Sequence, residues 1–525
     1  MITSLDEVAG NGLTSEIAII GAGAVGILIA NELAARGRDV ILVESGGVSV
    51  QKSAMDLNRS VLTGRNHLGI HDGRARVLGG TTTLWGGQLI AFGALDFEAR
   101  PWLGVDAWPI TLDDVKPYYI KTASALGLPA KSATDEEVWS ELNLKVPQIG
   151  SEFAVVLTRW LKTPNFARYF DKSLRSAPNL HVITNATATA INTNAETGQV
   201  ETIDLRSTGG KSEILKAKTF IIASGTIEAS RLMLCSAQKD SRVPWSDNPW
   251  VGASFQDHLD LHAASVHPIN AKAFSNTFDN IYSHGFKYQP KIALSAESQK
   301  TLKSVNIAAA YSYNSSLSEH FSNLKMMVRS LRSGHAPENL RDLPAHLKAL
   351  SSAWAPIVLR YLKDRRIHNL SDLGIQLVLH CEQVPLAESR ISLSKSERDS
   401  NGMPLVELDW RIDGRELESM ATFCEILDRN LQSAGLAKLA IMPKLIARDP
   451  SALDASKDTN HQCGGLRMSR SASDGVTNSN LQVHGAENLY IAGAAAFPSS
   501  SFANPTFTAM ALGMRLCDHL HGLDR

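Results

Sequence analysis

The segment EIAIIGAGAVGILIANELAARGRDVILVESGG changes its hydrophobic period twice. Ile17 to Ile20 form an unbroken apolar run, which predicts a strand buried on both faces. Gly21, Gly23 and Gly26 follow as a turn, and Ile27 to Arg36 continue at helical spacing. Val40 to Val43 predict a second buried strand, closed by Glu44. Together they make one βαβ unit. The theme returns downstream. NLHVITNATATAINTNAETGQVETIDLRS predicts strands with a turn at Glu196 to Gly198. KTFIIASGTIEASRLMLCS predicts a buried strand, a glycine turn and a helix.

Between residues 260 and 430 the pattern differs. SRISLSKSERDSNGMPLVELDWRI alternates as an antiparallel hairpin does, with Asn401 and Gly402 in its loop. Residues 317–368 carry helix-like spacing and no strand pattern. SSFANPTFTAMALGMRLCDHL predicts a closing helix, with Asn504 placed to cap it, Pro505 in its first turn, and Phe507, Met510, Ala511 and Met514 on one face. The expected fold class is α/β: a Rossmann-like, doubly wound domain interleaved with an α+β domain built on an antiparallel sheet. The expected divisions are 1–265 with an insertion around 95–175, then 266–435 with a helical insertion at 317–368, and 436–525 returning to the first domain.

Composition narrows this picture. A chain of 525 residues exceeds one simple core, which fits an interleaved pair. A formal net charge of −1 gives no bulk attraction to nucleic acid or to a membrane. Residues 317–368 depart locally, with nine Lys and Arg against four Asp and Glu. The simplest reading is a solvated helical face; the sharper one is a surface for an anionic substrate or partner. Five widely spaced cysteines without a CxxC pair argue against disulfides or zinc, and no metal is expected. MITSLDEVAGNGLTSE lacks the basic start and apolar run of a signal peptide, and no apolar stretch is long enough to span a bilayer, so a cytoplasmic location is expected.

The βαβ unit carries its own chemistry. Gly21 permits the tight turn, Gly23 lets the backbone approach a pyrophosphate, and Gly26 lets helix and strand pack closely. Glu44, 18 positions beyond Gly26, is placed to accept hydrogen bonds from a ribose diol. The motif implies a dinucleotide without separating NAD from FAD. Gly73 to Phe92 adds a Thr-rich loop, bracketed by Gly79, Gly80, Gly86 and Gly87, that offers backbone N–H groups to a ligand.

Six further stretches join the βαβ segment in order: RVLGGTTTLWGG, IIASGTIEASRLML, VGASFQDHL, RISLSKSERDSNGMPLVELDW, HQCGGLRMS and NLYIAGAAAFPSSSFANPTFTAMAL. Together they resemble the glucose-methanol-choline (GMC) family of flavin oxidoreductases over most of the chain, least clearly at 266–380. They look closest to its bacterial, pyranose-oxidase-like, sugar-oxidising branch. The resemblance implies FAD, held by an FAD domain beside a substrate domain. The positions it implies for the cofactor are Gly21, Gly23, Gly26, Glu44, Ser45, Arg76, Gly79, Gly80, Thr81, Thr187, Ala188, Ser224, Gly225, Gly493, Ala494, Asn504, Pro505 and Thr506. The family's catalytic histidine falls on His461 and its His-or-Asn partner on Asn504.

The implied reaction is oxidation of a secondary alcohol on a sugar, glycoside or polyol. His461 would take the hydroxyl proton as hydride moves to flavin N5, and Asn504 would hold the hydroxyl oxygen. The helix start at Pro505 to Thr508 would face the N1–C2=O edge of the flavin. The electron acceptor (O₂, a quinone or a redox protein) and any oligomeric state stay open. The alternatives are a non-redox lyase on the same scaffold, a catalytically silent FAD-binding protein and, from GxGxxG alone, an NAD dehydrogenase. Relatives with covalent FAD carry a histidine where Leu84 stands, and no histidine lies between His71 and His181, so non-covalent FAD is expected. Gly493 replaces an Asp found in many relatives, and Gly465 replaces a Thr, which would enlarge or loosen the site. His258, Glu382 and Arg467 are expected to brace the fold rather than react.

Overall fold

The computed structural model describes residues 1–523 apart from 9, 11, 130–134, 142, 284 and 333–339. Among the described residues the first sheet runs in the order Ile2–Ser4, Leu180–Thr184, Val40–Val43, Leu13–Ile20, Ser212–Ile222, Val200–Ser207 and Ala186–Thr193, with Leu489–Ile491 also beside Ser212–Ile222. Its centre is parallel, and Ile17 to Ile20 pair in register with Val40 to Val43. Ile17 and Ile19 are fully buried, as a strand covered on both faces requires. The first helix spans Ala24–Ala35, beginning earlier than its periodicity predicts because the glycine turn is partly helical. Gly26 lies inside that helix, where a Cβ would stand 1.9 Å from the Gly21 carbonyl oxygen.

The second sheet is antiparallel, in the order Ala437–Ile441, Leu259–Pro268, Ile375–Cys381, Ile307–Tyr313, Phe286–Leu294, Phe153–Trp160 and Gln88–Leu89, with Ile281–Ser283 beside Phe286–Leu294. The linear divisions at 265 and 435 cut across it. Gln88–Leu89 and Phe153–Trp160 come from before the first division, Leu259–Pro268 straddles it, and Ala437–Ile441 follows the second. Pairing across such separations leaves no local trace in the chain. The hairpin Arg390–Arg398 and Pro404–Asp409 forms around Asn401 and Gly402, but it stays out of this sheet and pairs in parallel with Ser60–Leu62. Residues 317–368 contain the helices Ser318–Arg332, Leu343–Ala349 and Ser351–Asp364.

Two junctions fix the closing helix, Pro505–Gly522, over the first sheet. Along its length it lies against Ala24–Ala35, where a Cβ on Gly513 would stand 3.1 Å from Ile29. Tyr119 Oη and Thr508 Oγ1 are 2.7 Å apart, and Lys121 pairs with Asp518 at 2.8 Å. Before the helix, the chain is held from the antiparallel side. Glu382, wholly buried with its partner Arg100, also accepts the N–H groups of Asn306 (3.0 Å) and Ser501 (3.2 Å). Replacing Arg100 by Met strands that carboxylate, and the expected loss is about 3–5 kcal/mol in urea unfolding. The double replacement Arg100→Met with Glu382→Met is expected to recover part of it; an unchanged single variant would show that the pair carries no such constraint.

Candidate active site

A cavity of about 650 Å³ opens where the parallel strands end. Gly21 and Gly23 line it after Leu13–Ile20, Glu44 and Ser45 after Val40–Val43, Ser224 and Gly225 after Ser212–Ile222, and Gly493 and Ala494 after Leu489–Ile491. Arg76, Gly80, Thr81, Thr187, Ala188, His461, Asn504, Pro505 and Thr506 complete the expected set around it. Gly26 and Gly79 do not reach the cavity: Gly26 packs behind Gly21, and Gly79 packs beside Ala167. Gly465 does not line it either. A Cβ there would lie 2.4 Å from Ser230 Oγ, so this glycine serves packing, and the expected enlargement of the site is corrected. Gln88 and Trp160, from the antiparallel sheet, form a wall that no motif announced.

The lining fits a dinucleotide. Glu44 is buried and accepts the amides of Ala22 (3.1 Å) and Gly46 (2.9 Å), which leaves lone pairs for ribose hydroxyls. Burial pushes its pKa up to about 7, against those amides and the Arg76 charge. Arg74 and Arg76 both bind Glu228 at 2.7 Å, and Arg76 donates to Ser45 Oγ at 3.0 Å. Burial opposes the Glu228 charge, but Arg76, Arg231 and Arg74 hold its pKa well below the usual range. Four lining side chains keep a buried polar atom without a partner: Trp160 Nε1, Thr187 Oγ1, Ser224 Oγ and Asn504 Oδ1. Buried polar atoms of this kind normally find partners, and a polar ligand in the cavity supplies them.

At the far end His461 is held on every side. His461 Nδ1 lies 2.7 Å from Thr459 Oγ1 and 3.0 Å from His258 Nδ1, and Nε2 lies 2.7 Å from Asn504 Nδ2. The partners fix the proton. His258 Nε2 faces the Ser500 carbonyl oxygen at 3.2 Å, so it carries hydrogen and leaves its own Nδ1 bare. The Thr459 hydroxyl donates to Asp257 Oδ1 at 3.0 Å, so its oxygen is free to accept. Both neighbours therefore need a donor at His461 Nδ1, and Nε2 bears the lone pair. Burial and then His258 pull the pKa of His461 down to about 3, against Asp257 and Asp260. The ring is neutral at physiological pH.

Asp257 anchors this arrangement and was missed in the sequence, although it stands next to His258. One oxygen accepts the amides of His258 (2.7 Å), Thr459 (3.2 Å) and His461 (3.0 Å). The other meets His67 Nε2 at 3.0 Å. Burial works against the charge, but the His67 hydrogen bond and the surrounding imidazoles hold its pKa at about 2. His67 lies between two carboxylates, with its Nδ1 3.8 Å from Asp458. Its two nitrogens face different acids, which makes it a brace between them.

Asn504 occupies the N-cap position, yet its side chain makes no capping bond. The expected side-chain cap is corrected. Pro505 has already removed one amide that would need satisfying, and the Asn504 amide turns to His461 instead. The remaining first-turn N–H groups lack partners within the helix and are left for a ligand at Pro505 and Thr506.

Residues 16–238 match the family model described as FAD dependent oxidoreductase. The chain is an FAD-dependent oxidoreductase acting on CH–OH groups. Residues 385–513, which include His461 and Asn504, match the model described as GMC oxidoreductase. That match agrees with the resemblance to the GMC family that the sequence motifs carry. It is 20% identical to the fructose dehydrogenase large subunit of Gluconobacter japonicus, over 96% of this chain and 97% of that one. It is 22% identical to 6'''-hydroxyparomomycin C oxidase of Streptomyces lividus, over 95% of this chain and 90% of that one. Its fold is similar to the crystal structure of pyridoxine 4-oxidase from Mesorbium loti, with a TM-score of 0.58, 16% identity, and coverage of 97% and 99%.

The neutral imidazole has a thermodynamic consequence. The folded state resists protonating His461 down to about pH 3, while the unfolded chain takes that proton near the ordinary 6.5. Stability from this group is therefore complete above 6.5 and declines as pH falls from there toward 3. Thermal unfolding of the holoprotein is expected to fall across that window, with a shallower slope in His461→Gln. Equal slopes would place the titration elsewhere.

Proposed function

We propose that the protein oxidises a secondary alcohol on a sugar, glycoside or polyol, with His461 as the base and Asn504 as its partner. The observation that carries this reading is the unprotonated Nε2 of His461 at the cavity wall, which accepts from Asn504 Nδ2 at 2.7 Å. Relatives named for fructose and for an aminoglycoside support the substrate class. The parallel sheet and closing helix form the FAD unit, and the antiparallel sheet forms the substrate unit. FAD is held without a covalent bond: Leu84 lines the cavity with an unreactive side chain, and His71 lies outside it.

Bound FAD supplies a hydride acceptor at N5. The chain does the rest. Glu44 receives the ribose hydroxyls, and the first-turn amides of Ala24–Ala35 and Pro505–Gly522 face the negative parts of the cofactor. Asn504 Nδ2 turns its hydrogens from His461 to the substrate oxygen, which frees His461 Nε2 to take the hydroxyl proton. As the ring gains charge, its Nδ1–H bond to Thr459 strengthens, and the Asp257 anion behind Thr459 stabilises the new charge. Thr459 and Asp257 are positioning residues in this scheme, because they act through His461.

Anaerobic mixing with a panel of sugars and polyols tests the reaction. Bleaching of the flavin band is expected with at least one, whereas product without bleaching would indicate lyase chemistry instead. His461→Ala is expected to slow flavin reduction about 10²–10⁴-fold with FAD content intact. Thr459→Val is expected to slow it and Thr459→Ser to restore it, since only the hydroxyl oxygen is at issue. Asn504→Ala is expected to slow reduction while thermal stability stays near that of the parent, because no cap is lost. Full reductive rates in His461→Ala would end the base assignment.

A further inference from the structure

Ten of the 23 exposed large apolar side chains among the described residues fall between 326 and 373. The helix Ser351–Asp364 is apolar on its outer side. Ala353 and the preceding Leu350 are buried, and Arg360 turns inward to bind Asp279 at 3.0 Å. Trp354, Val358, Leu359, Tyr361 and Leu362 face out, with Leu359 66% and Leu362 72% exposed. Their spacing makes one continuous stripe along two adjacent rows of the helix. The helices Ser318–Arg332 and Leu343–Ala349 extend it: Met326 and Leu347 are exposed, and the Phe321 and Trp354 rings lie 6.3 Å apart. A solvated helix carries the opposite pattern, so the expectation of a solvated face holds for the charges and fails for these residues.

The charges around the stripe decide what covers it. Lys325, Arg341, Lys348, Lys363 and Arg365 are exposed, against Glu319, Asp342 and Asp364. Long aliphatic and indole side chains flanked by cations are the signature of a helix that lies in an interface with anionic headgroups. No described helix is long and apolar enough to cross a membrane, so the contact is with one leaflet. The patch is on the substrate side. Lys325 lies close enough to Lys287 to help lower its pKa to about 8, after burial, and Lys287 stands 3.2 Å over the ring of Trp160 at the cavity wall. We infer that the apolar stripe of Ser351–Asp364, with the neighbouring helices, docks the enzyme onto an anionic lipid surface.

Co-sedimentation of the FAD-loaded protein with lipid vesicles tests this. Binding to phosphatidylcholine vesicles containing phosphatidylglycerol is expected, and at least ~10-fold weaker binding to pure phosphatidylcholine. Leu359→Glu with Leu362→Glu is expected to abolish binding while FAD content, melting temperature and turnover of a soluble substrate stay unchanged. Lys348→Glu with Lys363→Glu is expected to remove the preference for anionic lipid. Three results would overturn the inference: no binding to either vesicle, binding unaffected by the double glutamate variant, or a dimer in sedimentation velocity that the variant dissociates while vesicles are ignored. The last would assign the stripe to a second copy of the chain.

Discussion

One buried carboxylate organises the candidate site of this protein. Asp257 has no exposed surface and yet stays ionised, because four hydrogen bonds reach one of its oxygens and an imidazole reaches the other. Three of those bonds come from backbone amides on two separate segments, the start of the strand Leu259–Pro268 and the loop at Thr459 to His461. The charge therefore fixes where the loop lies before any side chain is considered. It also fixes which proton His461 carries, since the Thr459 hydroxyl spends its hydrogen on Asp257 and must accept from the ring. Position and tautomer follow from the same anion.

Much of the first sheet was legible because its signals are local. The apolar run at Ile17 to Ile20, the glycines after it and the acid at Glu44 lie within one short stretch, and their spacing reflects contacts made within it. Most of the positions that line the cavity were legible for the same reason, through ordered motifs. The second sheet was not, because Gln88–Leu89, Phe153–Trp160 and Ala437–Ile441 join it across long separations, with no periodicity to mark the partner. Asp257 and Thr459 stayed hidden for another reason: an acid beside a histidine and a threonine in a loop are common, and only three-dimensional convergence gives them meaning. Asn504 shows the limit of a correct local rule. The residue sits where a cap belongs, but the nearby imidazole competes for its amide.

The charge balance of the chain concealed a further property. A net charge near zero describes the whole molecule, whereas a surface is met one patch at a time. Residues 317–368 concentrate cations and outward-facing apolar side chains that average away over 525 residues. The ion pair of Arg360 with Asp279, just ahead of the strand Ile281–Ser283, anchors them beside the antiparallel sheet.

The buried pair of Arg100 and Glu382 has a bearing on how such enzymes diversify. Glu382 directly follows the strand Ile375–Cys381 of the antiparallel sheet, yet one of its oxygens receives the Ser501 amide, just ahead of Asn504. The antiparallel side thus supplies part of the scaffold that positions the segment leading to Asn504. A chimera that exchanged one half for a relative's would inherit an acid without its acceptor site, or an amide without its acid. Recombination between family members should therefore tolerate crossovers only where Arg100, Asn306, Glu382 and Ser501 descend from one parent, however loosely the rest of the antiparallel sheet is allowed to vary.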